Sequence, residues 1–270
     1  MRVTFLSLVF CLLVSANVFA ANEVVPSLVV HKAKELSDDK VYLGISFDMA
    51  PGWHIYWKYP GAAGLPTRVK WSVPSGINIS EILWPAPERF SQGEGLEGFG
   101  YSDHVVLLNE VELPQSIQTG SIEGEIRWLG CNKSLCVPGK ASLKIPVSEL
   151  AVPNKYGQDL ARWISLLPMD HHDEVMTEQV NVTGTSPKFH VNAKFTWKVS
   201  PTSVEWYPNL NRDVVISNYN LNTTDTVSEL SFDIEVLGTG DRPLSEIDSV
   251  VTFVSPGSGK KSFEFKFNIK

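Results

Sequence analysis

An all-β chain, made of two antiparallel sandwiches joined by a helical connector, is what this 270-residue sequence predicts. Three observations carry the prediction. Apolar residues recur at every second position in segments spread along the chain, the period of a strand with one buried and one wet face. Gly and Pro clusters punctuate those segments where turns are needed. One stretch alone, from Asn154 to Leu167, changes to the helical period.

The elements follow in order. Residues 1–20 have the layout of a secretory signal peptide: Arg2 gives a positive start, Val3 to Val18 is almost wholly apolar, and Val18-Phe19-Ala20 places small residues for cleavage before Ala21. No later stretch approaches the roughly 20 apolar residues of a membrane helix. The mature chain is therefore expected to be exported, without a membrane span. Ile122, Ile126 and Trp128 alternate with Glu123, Glu125 and Arg127, so a strand is expected over 121–129. Phe189, Val191, Ala193, Phe195, Trp197 and Val199 alternate with His190, Asn192, Lys194, Thr196 and Lys198. Phe263, Phe265, Phe267 and Ile269 repeat the pattern against Glu264, Lys266 and Asn268. Between these blocks, Tyr156, Leu160, Trp163, Ile164 and Leu167 fall on one helical stripe, with Asn154 as N-cap and Pro168 as stop. The expected division is a β domain at 22–150, a helix and linker at 151–174, and a second β-sandwich domain at 175–270.

Composition narrows the function. A net charge of −7 argues against nucleic acid or anionic lipid as the main partner, because both reward a basic face. Hydrophobic content of 43%, with eight tryptophans, is ample for packed cores. Adjacent His171, His172 and Asp173 sit in a polar linker and read as solvated residues, so no metal site is expected. His54, among Trp53, Tyr56 and Trp57, reads as a hydrogen-bonded structural histidine. Gly93, Gly95, Gly98 and Gly100 lack the βαβ context of a phosphate loop, and no cofactor is expected.

Chemistry concentrates in the cysteines. Cys11 lies in the signal segment, leaving Cys131 and Cys136 alone in the mature chain, on either side of Asn132-Lys133-Ser134-Leu135 at the tip of a β-hairpin. They can form one intramolecular disulfide, in a compartment where such bonds persist. As a staple it is modest: a loop this short is worth roughly 2 kcal/mol in the chain-entropy model. As a redox centre it lacks a helix N-terminus, so a thiol pKa near or above the free value of about 8.5 is expected unless Lys133 or Lys140 approaches. Such a disulfide is still open to the low-pKa thiolate of a partner. Residues alone leave the structural and redox-active readings equally open.

Four motifs then resemble a known family. They are Pro51-Gly52-Trp53-His54-Ile55-Tyr56-Trp57-Lys58-Tyr59-Pro60-Gly61 with Gly64-Leu65-Pro66-Thr67; Trp84-Pro85-Ala86-Pro87-Glu88-Arg89-Phe90; Phe99-Gly100-Tyr101; and Trp128-Leu129-Gly130-Cys131 through Cys136-Val137-Pro138-Gly139. Together they resemble the N-terminal periplasmic domain of the thiol:disulfide interchange protein DsbD, particularly the type found in the copper-sensitivity suppressor protein ScsB. Val204-Glu205-Trp206-Tyr207-Pro208 is similar to a segment of the second domain of the ScsB type. The resemblance implies an immunoglobulin-like β-sandwich followed by a second sandwich, in the periplasm. It implies that Cys131 and Cys136 exchange electrons with thioredoxin-fold donors and acceptors, with Cys136 entering the mixed disulfide and Cys131 resolving it. It also implies an aromatic cap over the disulfide, for which Phe99 and Tyr101 are candidates, with Glu97 beside them. DsbD and ScsB continue into a membrane domain, whereas this sequence ends at Lys270, so a separate electron donor is expected. Two alternatives stand beside the relay: a non-catalytic binding or adaptor module with a structural disulfide, and Cu(I) handling by two soft thiolates.

Overall fold

The structure is a computed structural model that describes residues 23–31, 40–93, 96–114, 116, 119–150, 157–170, 175–210, 214–237, 244–257 and 259–269. Residues 1–20, read above as a signal peptide and including Cys11, lie outside the described residues, as do Asn154, Tyr156 and the His171-His172-Asp173 cluster.

Ten strands build the first sandwich: β1 (Val24–His31), β2 (Lys40–Met49), β3 (His54–Gly61), β4 (Arg68–Ser72), β5 (Asn78–Ile79), β6 (Glu88–Gly93), β7 (Leu96–Ser102), β8 (His104–Glu112), β9 (Ser121–Cys131) and β10 (Cys136–Pro146). One sheet runs β1-β2-β8-β5; the other runs β10-β9-β3-β7-β6, with β4 also paired to β9. Every strand pairing in both sheets is antiparallel. The alternation expected over 121–129 is realised in β9, where Ile122, Ile126 and Trp128 are buried and Glu123, Glu125 and Arg127 are exposed. The tryptophan-rich segment packs inward, as large aromatics do between sheets: Trp53, Ile55 and Trp57 join Phe47, Val105, Leu107 and Trp128 in one core.

A short helix, α1 (Val147–Leu150), follows β10 and buries Val147 and Leu150. The connector helix α2 (Gly157–Ser165) buries Leu160 and Trp163 in the core of the first sandwich. Its last turn closes with Leu166 N–H on the Trp163 carbonyl and Leu167 N–H on that of Ile164, ahead of Pro168, which cannot continue a helix.

The second sandwich holds β11 (Val175–Thr185), β12 (Lys188–Trp197), β13 (Ser203–Asn209), β14 (Val214–Thr224), β15 (Val227–Val236), β16 (Glu246–Val254) and β17 (Lys260–Asn268). Its sheets run β11-β12-β15-β14 and β13-β16-β17. The two apolar stripes read from the sequence face each other here. Phe195 and Trp197 of β12 meet Phe263 and Phe265 of β17 with ring centroids 5.1 to 6.3 Å apart. Val199 departs from its stripe: β12 ends at Trp197, and Val199 is exposed.

The two sandwiches are packed together rather than strung on a tether. Tyr207 and Val250, from the second, belong to the core of the first. Met169 adds a parallel bridge to Phe263 at the edge of β17, while Ala86 N–H donates to the Leu166 carbonyl at 2.9 Å. The connector is thus hydrogen-bonded to both sides.

Candidate functional site

The hairpin of β9 and β10 brings Cys131 and Cys136 directly opposite one another, joined as a disulfide with Cα atoms 4.1 Å apart. Local sequence explains the placement. Asn132 to Leu135 form the loop, which Asn132 N–H closes by donating to the Leu135 carbonyl at 2.9 Å. The Asn132 Oδ1 accepts from Ser134 N–H and Leu135 N–H at 2.8 and 2.9 Å, folding the turn through a side chain that mimics the backbone. One backbone hydrogen bond and one to the Asn132 side chain therefore join residues 132 and 135. The next pair outward, 131 and 136, is the close, non-hydrogen-bonded kind, which suits a disulfide.

The two sulfurs do not share an environment. Cys131 is buried, with 1% of its surface exposed, whereas Cys136 is exposed beside Leu135, itself 56% exposed. By strand alternation Cys131 stands on the outer face of its sheet, opposite to Trp128 and Gly130. It is buried there because Cys136 flanks it on β10 and His54 flanks it on β3. Beyond the disulfide β10 continues as strand, so among the described residues no helix start is placed at either sulfur.

The expected cap residues are brought elsewhere. Ser102 is the β7 residue level with His54 and Cys131, so Phe99 lies three residues along and two strands across, about 10 Å in each direction. Phe99 is buried on the core face, with Tyr59 at 6.0 Å and Tyr207 of the second sandwich at 5.5 Å. Tyr101 is also in the core and donates its hydroxyl to the Pro85 carbonyl at 2.6 Å; complete burial raises its pKa. Glu97 pairs with Arg89 at the Gly61 end of the sheet, away from the disulfide. None of the three covers a sulfur in this arrangement. The physical reason is the pleat: positions 97, 99 and 101 share the β7 face that carries the core partner of Ile55, whereas Cys131 and its partner His54 stand on the opposite face.

The structure instead sets an aromatic group on the outer face beside Cys131. The His54 ring lies 4.2 Å from that of Phe90 and 5.2 Å from that of Tyr56. The Tyr56 hydroxyl is 3.4 Å from His54 Nε2 and accepts from Gln92 Nε2 at 3.1 Å. Burial holds the His54 imidazole below its ordinary pKa and pushes the Tyr56 phenol up, the latter partly offset by Gln92. His54 is thus hydrogen-bonded, as its sequence context suggests, and its face is also legible in the sequence. With Ile55 and Trp57 assigned to the core, period-two alternation puts His54 and Tyr56 on the opposite face.

No cluster of three or more His, Cys, Asp or Glu side chains with metal-binding geometry occurs among the described residues. No described helix is long and apolar enough to cross a membrane.

Comparison with known proteins accords with this geometry. The family model described as "Thiol:disulfide interchange protein DsbD, N-terminal" matches residues 22–147. The crystal structure of the N-terminal periplasmic domain of ScsB from Proteus mirabilis superposes with a TM-score of 0.65 at 16% identity, covering 90% of this chain and 92% of that one. A protein of unknown function from Porphyromonas gingivalis W83 covers 92% of this chain and 100% of its own, but a TM-score of 0.22 at 8% identity gives it no weight here. No curated protein matches the chain. The ScsB likeness shows the same all-β arrangement over nearly the full length, and the first sandwich, residues 22–147, belongs to the family of DsbD N-terminal domains, which are thiol–disulfide interchange domains.

Proposed function

We propose that this protein works in the periplasm as a relay of reducing equivalents between thioredoxin-fold partners, through Cys131 and Cys136. The observation that carries the reading is the asymmetry of the disulfide: one sulfur exposed at a hairpin edge, the other buried beside it. Exchange needs an accessible sulfur to attack and a leaving sulfur that stays in place to re-form the bond.

The cycle balances as follows. A reduced donor, carrying two thiols, presents a thiolate that attacks Cys136 Sγ; the Cys131–Cys136 bond breaks and Cys131 departs as a thiolate. The donor's second thiol then attacks its own sulfur in the mixed disulfide and leaves oxidised, so this protein holds two thiols. Toward an acceptor the steps reverse. Cys136 thiolate attacks the acceptor disulfide, and Cys131 attacks Cys136 Sγ, releasing a reduced acceptor. Two electrons pass in each half.

The experiment is trapping in the periplasm. Cys131→Ser, which keeps the exposed thiol, is expected to accumulate mixed disulfides with proteins carrying a Cys-x-x-Cys pair, and Cys136→Ser far fewer. Equilibration of the mature protein in glutathione buffers supplies the second arm. A reduction potential below about −300 mV, together with no trapped partner, marks a structural bond and removes the relay.

A further inference from the structure

We infer that His54 serves the buried sulfur: when the disulfide opens, its Nδ1–H donates a hydrogen bond to the Cys131 thiolate. This rests on the exchange reading above and assigns one residue within it.

Three observations meet at this histidine. The first is register, since His54 is the cross-strand partner of Cys131 in the β3–β9 ladder. Partners of this kind share a face with Cβ atoms about 4.5–5.5 Å apart. The second is the orientation of the ring. Gln92 Nε2 donates to the Tyr56 hydroxyl oxygen at 3.1 Å and to the Ala63 carbonyl at 3.1 Å, leaving the Tyr56 hydrogen to point at His54 Nε2, 3.4 Å away. Nε2 is then the acceptor, and a neutral ring carries its hydrogen at Nδ1. Phe90, 4.2 Å from the ring, holds it in place. The third is need. A thiolate released at Cys131, in a site with 1% exposure, has lost its water, and an unpartnered buried anion is costly.

Other polar groups of this face are committed or distant. Ser102, level with His54 on the far side, donates to Glu88 at 2.9 Å. Arg127 and Lys140 face one another four residues along β9 and β10, about 13 Å from the disulfide. Lys133 stands exposed in the turn. Burial disfavours the cationic form of the imidazole, so the ring beside the closed disulfide is held toward its neutral form.

The step conserves protons. A partner thiolate attacks Cys136 Sγ, the bonding pair moves to Cys131 Sγ, and His54 donates its hydrogen bond without giving up the proton. Water supplies the proton if Cys131 later becomes a thiol. In the return step the same hydrogen bond keeps Cys131 ionised as nucleophile.

The test uses the mature chain carrying Cys136→Ser, in which Cys131 is the one thiol and no partner is needed. Its pKa is read from thiolate ultraviolet absorbance with His54 present and with His54→Phe, which keeps a ring against Phe90. The expected result is a rise of about one unit in the Phe variant, a tenfold drop in thiolate at neutral pH, with partial recovery in His54→Gln. An unchanged Cys131 pKa overturns the proposal. Should His54→Phe fail to fold, nitrogen NMR of the unsubstituted ring decides instead: an Nδ1–H tautomer is expected, and an Nε2–H tautomer overturns it. Failure of the oxidised protein to exchange with any Cys-x-x-Cys protein would remove the relay, and is read separately.

Discussion

Arg89, on the β6–β7 hairpin of the first sandwich, donates from Nη2 to the backbone carbonyl of Trp206 in the second, at 2.7 Å. Its guanidinium also lies over the rings of Phe99, Tyr207 and Tyr219 at 5.0, 5.5 and 5.3 Å, and pairs with Glu97. One planar cation thus ties strands from both halves of the molecule. It does so at the end of the sheet remote from the disulfide.

Arg89→Ala is expected to lower stability by about 2–3 kcal/mol, the size of a charge-assisted hydrogen bond with its cation–π contacts. Arg89→Lys should restore little, because an ammonium lacks the planar fork that lies flat on rings. Urea unfolding, followed by tryptophan fluorescence, checks both. An unchanged midpoint in Arg89→Ala would show the clamp to be energetically idle.

Gly100→Ala is expected to destabilise by about 1–3 kcal/mol, as overpacking does. An added Cβ would stand 2.1 Å from the Ile55 carbonyl oxygen, a backbone atom that cannot turn aside. Gly52→Ala offers a contrast, since no atom lies within 4 Å of its added Cβ and only its positive φ of 82° opposes the change. Thermal unfolding of the two variants separates steric from conformational cost.

Replacing both cysteines by Ser is expected to cost about 2 kcal/mol and to leave the fold intact, because a loop this short gains little from closure. In the reduced native protein, iodoacetamide should modify Cys136 at least about tenfold faster than Cys131, following thiol exposure. Mass spectrometry of peptides at timed intervals reports the ratio. Equal rates would contradict the burial difference.

The pH dependence follows from His54. Its folded pKa lies below the ordinary 6.5 because burial disfavours the cation, so the unfolded chain binds more protons between the two values. Stability from this group is present above about 6.5 and is lost as pH falls toward the folded pKa. His54→Phe should flatten that part of the stability profile, measured by urea unfolding between neutral and mildly acidic pH. A slope identical to that of the parent chain would place the acid sensitivity elsewhere.

Much of the fold was legible because period-two alternation maps directly onto buried and wet faces. Phe195, Trp197, Phe263 and Phe265 were readable as buried stripes, though that the two stripes face each other was not. The hairpin disulfide was legible for the same reason, because two of the three cysteines flank one short turn. The surroundings of Phe99 were not legible, because sequence spacing says nothing of Tyr207, 108 positions later, against which it packs. His54 is hydrogen-bonded as its sequence neighbours suggested, but its place in the register was not legible. Its ladder partner Cys131 lies 77 positions away, and nothing in the local pattern announces that pairing.

Tyr207 completes a core that begins more than a hundred residues upstream, and that has a practical consequence for anyone wishing to excise the sulfur-bearing half. A fragment cut after Leu150 would forfeit Leu160, Trp163 and Tyr207 together, leaving Trp57 and Phe99 as raw aromatic surface for aggregation. The downstream sandwich covers that hydrocarbon, so the excised fragment is expected to lose solubility without it.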